Sequence, residues 1–268
     1  LFESFVELID TAIDEKSPYT GGHCARVPEL TMLLAEAVNE TQSGPLAPVS
    51  LSKKDLYELR IAALLHDCGK ITTPVHVVDK ATKLETIFDR IEWVATRMEV
   101  LKREAETDMW RAIAQGAPAE AEQTRCAQRI QQIDADCAFL RQSNRGGERM
   151  SDEAVQRVRD IAARYRLRGP DGQDKPLLND EEVGNLTIRA GTLNAAEREV
   201  INHHIVATIQ MLQRLPWPTH LQNVPEFAGG HHERMDGKGY PKGLTRDQMS
   251  WQARMMGIAD IFEALTAR

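Results

Sequence analysis

The 268-residue sequence has no apolar run of the roughly 18 residues that a membrane-spanning helix requires. Its first residues also lack the basic, apolar and small-residue order of a secretory signal peptide. Cysteine is scarce, since Cys24, Cys68, Cys126 and Cys137 are widely spaced and none forms a C-x-x-C pair, which argues against a disulfide framework. These absences predict a cytoplasmic protein with reduced thiols.

An excess of positive charge is also missing. The formal net charge is -7 at pH 7, whereas a protein that binds duplex nucleic acid normally carries a basic patch. Any phosphate-bearing ligand would therefore need a local site. The composition, 42% hydrophobic and 27% charged, is that of a globular protein of one or two domains. A helical apolar pattern begins at Leu1 and the chain ends at Arg268, so we expect further sequence at both ends.

The most informative stretch is the apolar run over residues 61–70, which ends in a histidine, an aspartate and a lysine. Ser52 and Asp55 have the spacing of a capping box, and apolar residues at helical spacing follow them. The pattern therefore predicts a helix that carries both His66 and Asp67. A histidine and an aspartate that only hydrogen-bond to each other inside a core are the ordinary alternative.

Further histidines and an aspartate lie in or beside other apolar segments. A helix that begins at Asn194, with Glu197 three residues later, would place His204 on its apolar face and His203 about 100° away, so only His204 is expected to point inward. The candidate metal ligands are His23, His66, Asp67, His204, His231, His232 and Asp260. Burying unpaired groups of this kind costs several kcal/mol, and a metal ion compensates that cost. The set predicts a metal site.

The middle of the chain has a different pattern. Apolar residues recur at alternating steps of four and three over residues 87–105 and again over 126–140, with a break at 115–118. This heptad rhythm predicts an antiparallel, coiled-coil-like hairpin. Two amphipathic helices that lie on a globular body fit the periodicity nearly as well. A third helix is predicted over residues 155–165, and residues 171–185 are interpreted as a connection.

Taken together, the motifs resemble those of the HD-GYP family of the HD phosphohydrolase superfamily, which hydrolyses bacterial cyclic dinucleotides. The matching segments are Tyr-Thr-x-Gly-His at 19–23, His-Asp-x-Gly-Lys at 66–70, Ile-x-x-His at 201–204, His-His-Glu-Arg-x-Asp-Gly-x-Gly-Tyr-Pro at 231–241 and Ala-Asp-x-x-x-Ala-Leu at 259–265. The resemblance implies an all-α, HD-type helical bundle. Residues 1–85 and 191–268 would form this domain, and residues 86–190 would be a helical insertion.

The resemblance also implies a site with two divalent metal ions. One ion would be held by His23, His66, Asp67 and Asp260, and the other by Asp67, His204, His231 and His232, so that Asp67 bridges them. Because each ion would have more than four ligands once water is added, Fe or Mn is expected rather than structural Zn. Trinuclear members carry a glutamate four residues before the first histidine. Tyr19 stands there in this chain, so two metals are expected rather than three.

The implied reaction is hydrolysis of cyclic di-GMP to pGpG by a bridging hydroxide, with GMP left open as a further product. Asp67 and Lys70 are the expected catalytic residues, and Lys70 would neutralise charge on the phosphoryl group. An ordinary surface lysine is the alternative for Lys70, and a buried structural tyrosine is the alternative for Tyr240. The expected substrate-binding residues are Tyr19, Lys238, Gly239 and Tyr240.

The sequence leaves two alternative functions open. The substrate could be another cyclic dinucleotide, such as a mixed GMP-AMP, or the chain could be a non-catalytic receptor for such a ligand. Family members commonly continue into an Arg-Pro-Tyr segment that contacts the substrate phosphate, and this chain stops at Arg268, so weak turnover despite metal binding is expected. A fused sensory or receiver domain and a homodimer are the expected protein partners.

Overall fold

The computed structural model describes residues 2–16, 22–147, 149–169 and 171–266, with side chains from residue 4 onward. Within these ranges the chain is helical apart from one two-stranded sheet, which confirms the predicted all-α fold. The helices are α1 (Phe2–Asp14), α2 (His23–Glu40), α3 (Lys53–Leu65), α4 (Val75–Val78), α5 (Ile91–Ala114), α6 (Ala119–Asn144), α7 (Asp152–Arg164), α8 (Asp180–Leu186), α9 (Ala195–Gln213), α10 (Val224–Gly229) and α11 (Trp251–Thr266). None of the helices in the described ranges combines the length and apolar character needed to cross a lipid bilayer.

The chain packs as two compact units, one made of Leu1–Asp79 with Arg198–Arg268 and the other of Lys80–Glu197. In the first unit, α2 packs against α3 and α11, and α3 also packs against α1 and α10. The fully buried side chains at the centre of this unit include Leu59, Ile61, Ala62, Leu221, Val224 and Met256. Helix α3 is therefore the central element of the first unit.

The start of α3 follows from its local sequence. The Ser52 side chain accepts a hydrogen bond from the Asp55 amide, and the Asp55 carboxylate accepts one from the Ser52 amide at 2.7 Å. Each bond satisfies an amide that has no partner inside the helix, which is why this pair stabilises a helix start. The predicted capping box is thus confirmed.

The end of α3 differs from the prediction. The helix ends at Leu65, so His66 and Asp67 lie just after it, before a 3₁₀ helix over Cys68–Thr72. A side chain from α9 causes the difference, because the Thr208 hydroxyl donates to the His66 carbonyl at 3.2 Å and accepts from the Gly69 amide at 2.9 Å. The backbone groups released at the helix end are therefore satisfied by a residue far away in the sequence.

Gly69 allows α9 to lie directly against this turn. A Cβ atom at position 69 would lie 2.0 Å from the carbonyl oxygen of His204 and 2.6 Å from the amide nitrogen of Thr208. No side chain fits at such distances, so only glycine permits the contact. The close approach brings the His204 turn of α9 next to Asp67.

In the second unit, α5 and α6 form the antiparallel hairpin that the heptad pattern predicts. Ion pairs between the two helices fix their direction, since the partner numbers fall on α6 as they rise on α5: Glu92 with Arg141, Lys102 with Asp134, and Asp108 with Arg129. The buried seam includes Val94, Met98, Leu101, Ile133 and Leu140. It is shared with Val158 and Ile161 of α7 and with Leu186 of α8, so the hairpin is part of a larger helical core.

Two details of this unit were predicted wrongly. The heptad pattern puts Ile87 in the seam, but Ile87 precedes α5 and is 94% exposed. The sequence predicts a connection over residues 171–185, but this range includes strand β2 (Asp174–Pro176), which pairs with β1 (Arg166–Arg168), and the start of α8. These elements are too short to show a periodic pattern, although Asn179 and Glu182 form a capping box at the start of α8.

The chain enters and leaves the second unit at one place. The Thr192 hydroxyl donates to the carbonyl oxygen of Lys80 at 2.8 Å. The Lys80 ammonium, whose side chain is 1% exposed, bonds both carboxylate oxygens of Glu197 at 2.8 Å. Glu197 also forms the predicted cap of α9 with Asn194, so a single carboxylate both starts that helix and neutralises a buried lysine.

Candidate metal centre

Three buried histidines of the first unit are oriented by the backbone in the same way. The Nδ1 atoms of His66 and His231 lie 2.7 and 2.6 Å from the carbonyl oxygen three residues earlier, and His204 makes the equivalent contact. A carbonyl oxygen can only accept, so each Nδ1 carries the hydrogen and each Nε2 presents its lone pair. These Nε2 atoms are buried, and none has a hydrogen-bond partner in the part of the chain that the structure describes.

The Asp67 carboxylate lies between two groups of such ligand atoms. One oxygen, Oδ2, lies 3.4 Å from His23 Nε2 and 3.3 Å from His66 Nε2, and the other, Oδ1, lies 3.2 Å from His204 Nε2. His23, His66 and Asp67 form one cluster of potential ligands within 4.8 Å of one another, and His204, His231 and His232 form a second. The side chain of Asp67 is 2% exposed and faces both clusters.

This arrangement is the pattern of a metal site. The unprotonated Nε2 atoms of His66 and His204 and the carboxylate oxygens of Asp67 are all acceptors, so at 3.3 and 3.2 Å they repel each other unless a cation lies between them. Asp67 Oδ1 also has no hydrogen-bond partner among the described residues, and an unsatisfied buried charge costs several kcal/mol. Divalent cations satisfy both kinds of atom, and the residues present therefore fit a metal centre.

Asp260 of α11 completes the first cluster. Its Oδ1 lies 3.3 Å from His23 Nε2 and 4.0 Å from His66 Nε2. Burial alone would raise the pKa of Asp260, but the adjacent His23 and then the imidazoles of His231 and His66 lower it well below its usual range. Burial likewise raises the pKa of Asp67, and Lys70 and His66 outweigh it and lower that pKa strongly. Both carboxylates are therefore ionised at neutral pH.

Two histidines of the second cluster, His231 and His232, are neutral. Burial lowers the pKa of His231 well below its usual value, and the neighbouring His232 and His66 lower it further. Burial, followed by the proximity of His204, lowers the pKa of His232 to about 4. An imidazole must be unprotonated to bind a metal, so these two histidines are in the form that ligation requires.

His23 has a carboxylate partner that the sequence analysis missed. Glu263 Oε2 accepts from His23 Nδ1 at 2.5 Å, and Glu263 Oε1 accepts from Arg26 Nε at 2.7 Å. The Glu263 side chain is 4% exposed. Glu263 follows Asp260 by three residues on α11, so both acids lie on one helix face, and this spacing is the signal that could have identified it. A carboxylate on the outer nitrogen fixes the tautomer of a ligating histidine.

The carboxylates around His23 favour a positive charge on its imidazole. Burial alone would lower its pKa, but the carboxylates of Asp260, Asp67 and Glu263 outweigh burial and raise the pKa to about 10. Three carboxylates thus surround a single imidazole. They retain either a proton or a metal ion at Nε2.

Lys70 lies next to the Asp67 carboxylate. Its ammonium is 2.5 Å from Asp67 Oδ2, and its side chain is 20% exposed, so Lys70 is not an ordinary surface lysine. Burial alone would lower the pKa of Lys70, and the Asp67 carboxylate more than compensates, so the pKa is raised. The group stays cationic at neutral pH beside the candidate metal site.

The four residues expected to bind substrate differ in their exposure and contacts. The Tyr240 ring stacks on His232 with 4.8 Å between centroids, and burial raises the pKa of Tyr240 to about 12. At Gly239 a Cβ would lie 2.2 Å from the Arg234 amide nitrogen, so close backbone approach requires glycine there. The Lys238 side chain is exposed, and Tyr19 lies outside the described residues.

His203 and His204 differ as the helical spacing predicts. His204 is 2% exposed and faces Asp67, while His203 is exposed on the other side of α9. The structure therefore brings together all seven candidate ligands and leaves His203 out of the cluster.

Two family models match this chain. Residues 20–138 match a family model described as HD domain, and residues 180–268 match a second model with the same description. The first match includes His23, His66 and Asp67, and the second includes the other four candidate ligands. The two matches leave residues 1–19 and 139–179 uncovered.

The chain is similar to known phosphodiesterases over part of its length. It is 40% identical over 80 residues to 3'3'-cGAMP-specific phosphodiesterase 3 of Vibrio cholerae, which is 30% of this chain and 16% of the relative. It is 36% identical over 101 residues to a probable cyclic di-GMP phosphodiesterase of the same organism, covering 35% and 23%. It is 34% identical over 96 residues to the cyclic di-GMP phosphodiesterase of Thermotoga maritima, covering 35% and 26%. The matched segments span about a quarter or less of each relative.

Proposed function

Because the chain belongs to the HD-GYP family of HD-domain proteins, we propose that it is a metal-dependent phosphodiesterase that hydrolyses cyclic di-GMP to pGpG. The observation that carries this proposal is the position of Asp67. Its two carboxylate oxygens face two separate clusters of imidazole lone pairs, which is the arrangement that a pair of metal ions requires.

We propose that two divalent ions are held by the seven residues of these clusters, namely His23, His66, Asp67 and Asp260 on one side and Asp67, His204, His231 and His232 on the other. When bound, such ions supply Lewis-acid activation of water and of the phosphodiester. Nitrogen-rich sets of four protein ligands with further positions open favour Fe or Mn.

Backbone carbonyls and charged side chains of the protein orient the candidate ligands and stabilise charge for this reaction. The three Nδ1–carbonyl bonds and the Glu263 bond hold the imidazoles so that their Nε2 lone pairs converge. Lys70, kept cationic beside Asp67, stabilises negative charge that develops on the phosphoryl oxygens. We assign catalytic roles to Asp67 and Lys70 on these grounds.

Substrate contacts follow from the loop that carries Tyr240. The phenol ring stacks on His232 and stays partly exposed, so it offers a flat surface against which a base can stack. The exposed ammonium of Lys238 lies two residues away in the sequence and can approach a phosphate. Gly239 lets the loop pass close to the backbone of Arg234.

Base choice distinguishes the leading substrate from the second candidate. Relatives at 40% identity are named as 3'3'-cGAMP-specific phosphodiesterases, so a mixed GMP-AMP cyclic dinucleotide is the second candidate. A non-catalytic receptor is less favoured, because all seven candidate ligands are present.

We further propose that residues 1–85 and 191–268 form the HD-type domain, with residues 86–190 as an insertion. The protein would act in the cytoplasm as a homodimer, fused to a regulatory domain.

The test combines metal analysis with product analysis. Protein purified anaerobically and reconstituted with Fe(II) or Mn(II) is incubated separately with cyclic di-GMP and with 3'3'-cGAMP, and the products are separated by chromatography. Chelator-treated protein is the control. Metal-dependent formation of pGpG supports the proposal, faster cleavage of 3'3'-cGAMP favours the second candidate, and tight binding without cleavage of either compound contradicts a phosphodiesterase.

A further inference from the structure

The second unit contains a cavity of about 340 Å³ that no motif of the HD domain uses. It lies beside the loop that joins α6 to α7. Its lining includes four basic residues, Lys83, Arg145, Arg149 and Arg189, and no acidic residue of the described ranges. The protein as a whole has a net charge of -7, so this concentration of positive charge is unusual for the chain.

Lys83 is a buried cation without a counter-ion in the described part of the chain. The residue is 3% exposed, and the contacts of its ammonium are the Leu186 carbonyl oxygen at 3.2 Å and the Met150 sulfur at 3.5 Å, which are both neutral. Burial lowers the pKa of Lys83. A buried charge is costly unless it is paired, so an anion in the cavity would remove this cost.

The arginines of the cavity differ in their pairing. Arg189 forms an ion pair with Asp152 at 2.5 Å. Arg145 and Arg149 are exposed and form no ion pair with any described residue. Two guanidinium groups that have no ion pair within the described ranges can each bind a phosphate group through two parallel hydrogen bonds, which an ammonium cannot do.

The cavity wall is held in place by the backbone. The Met150 amide donates to the Arg189 carbonyl at 2.7 Å, and the Gly191 amide donates to the Gly147 carbonyl at 3.0 Å. Ser151 caps the 13-residue helix α7, whose first turn borders the cavity through Ala154. The amino end of a helix favours negative charge, which adds to the charge of the basic side chains.

We propose that this basic cavity binds a phosphate-bearing nucleotide, whose phosphate compensates the charges of Lys83, Arg145 and Arg149. The volume is in the range of about 300–1,000 Å³ that small-ligand sites occupy. Phe139 adds an aromatic side chain to the lining; the Arg157 guanidinium covers one face of its ring, 4.1 Å from the ring centre, and a base can pack against the remaining surface. All residues of this site belong to the second unit, so the proposal does not depend on the metal centre or on its reaction.

Isothermal titration of the full-length chain at low salt tests the site, with GMP as the probe and guanosine and inorganic phosphate as comparisons. All titrations use the Asp67→Ala background treated with chelator, so that the metal centre does not contribute phosphate binding. We expect saturable GMP binding and no guanosine binding. Binding should weaken with added salt, because the contacts are electrostatic.

The double variant Arg145→Ala/Arg149→Ala should raise the Kd for GMP by about tenfold or more, because charge-assisted hydrogen bonds are lost. Lys83→Met should weaken binding as well while leaving a folded protein, since an isosteric apolar side chain removes an unpaired charge. Arg159→Ala is the matched control, because Arg159 is an exposed arginine of α7 outside the lining. Absence of GMP binding, equal binding of inorganic phosphate and GMP, or an equal effect of Arg159→Ala would overturn the proposal.

Discussion

Replacement of Glu263 by glutamine tests whether this carboxylate positions a metal ligand. Both of its oxygens accept hydrogen bonds, one from His23 Nδ1 at 2.5 Å and the other from Arg26 Nε at 2.7 Å. Glutamine has the same shape but only one acceptor oxygen. Its amide NH₂ must therefore face one of the two donors, which either turns His23 or releases Arg26.

The expected effect is large for a residue that would not touch the metal. Loss of an outer carboxylate partner of a ligating histidine typically lowers metal affinity by about 10–100-fold, or about 1.4–2.7 kcal/mol. The positions affected are those around His23, whereas the cluster of His204, His231 and His232 should keep its affinity. Glu263→Gln should therefore leave one ion tightly bound and weaken the other.

The assay is a competition titration with a chromophoric chelator, together with elemental analysis of the metal that each variant retains. Glu29→Gln is the control, because Glu29 is exposed on α2, one turn beyond Arg26, and undergoes the same chemical change. If Glu263→Gln and Glu29→Gln bind both ions with affinities within twofold of the unmodified protein, the positioning role of Glu263 is refuted.

Asp67→Ala should abolish hydrolysis and lower the content of both ions, whereas His203→Ala should change neither; robust turnover in the first variant, or equal damage from both, would contradict the ligand assignment. Replacing residues 81–191 with a short linker should leave metal content unchanged, because the chain enters and leaves the second unit at hydrogen-bond distance; a metal-free product would argue against this independence. Elemental analysis should give two ions per chain, because a phenol is a poor substitute for a carboxylate at neutral pH, and a third anomalous peak near Tyr19 would show otherwise. Glu226→Gln should raise the melting temperature at pH 7 but not at pH 4. Burial raises the pKa of Glu226, so its carboxyl destabilises the fold only as the pH rises above the unfolded value of 4.5, and an equal shift at both pH values would contradict this.

The sequence by itself determined the features that depend on neighbours within a turn or two. The capping boxes at Ser52 and Asn194 follow from local spacing, since each joins a side chain to an amide three residues away. The heptad seam predicted the pairing of α5 with α6 in the same way. The candidate ligands could also be picked out from the sequence, because each motif holds its histidines and aspartates in a short segment.

The tertiary structure alone decided the features that join distant segments. The contact between His23 and Glu263 joins residues 240 positions apart; the spacing from Asp260 places Glu263 on the same helix face, but only the packing of α11 against α2 makes His23 its partner. Helix α3 ends at Leu65 because Thr208, more than 140 residues later, satisfies the backbone at the turn. The basic cavity depends on how the loop after α6 folds against Lys83. Hydrogen bonds of this kind form only after helices pack, so they leave no periodic signal in the sequence.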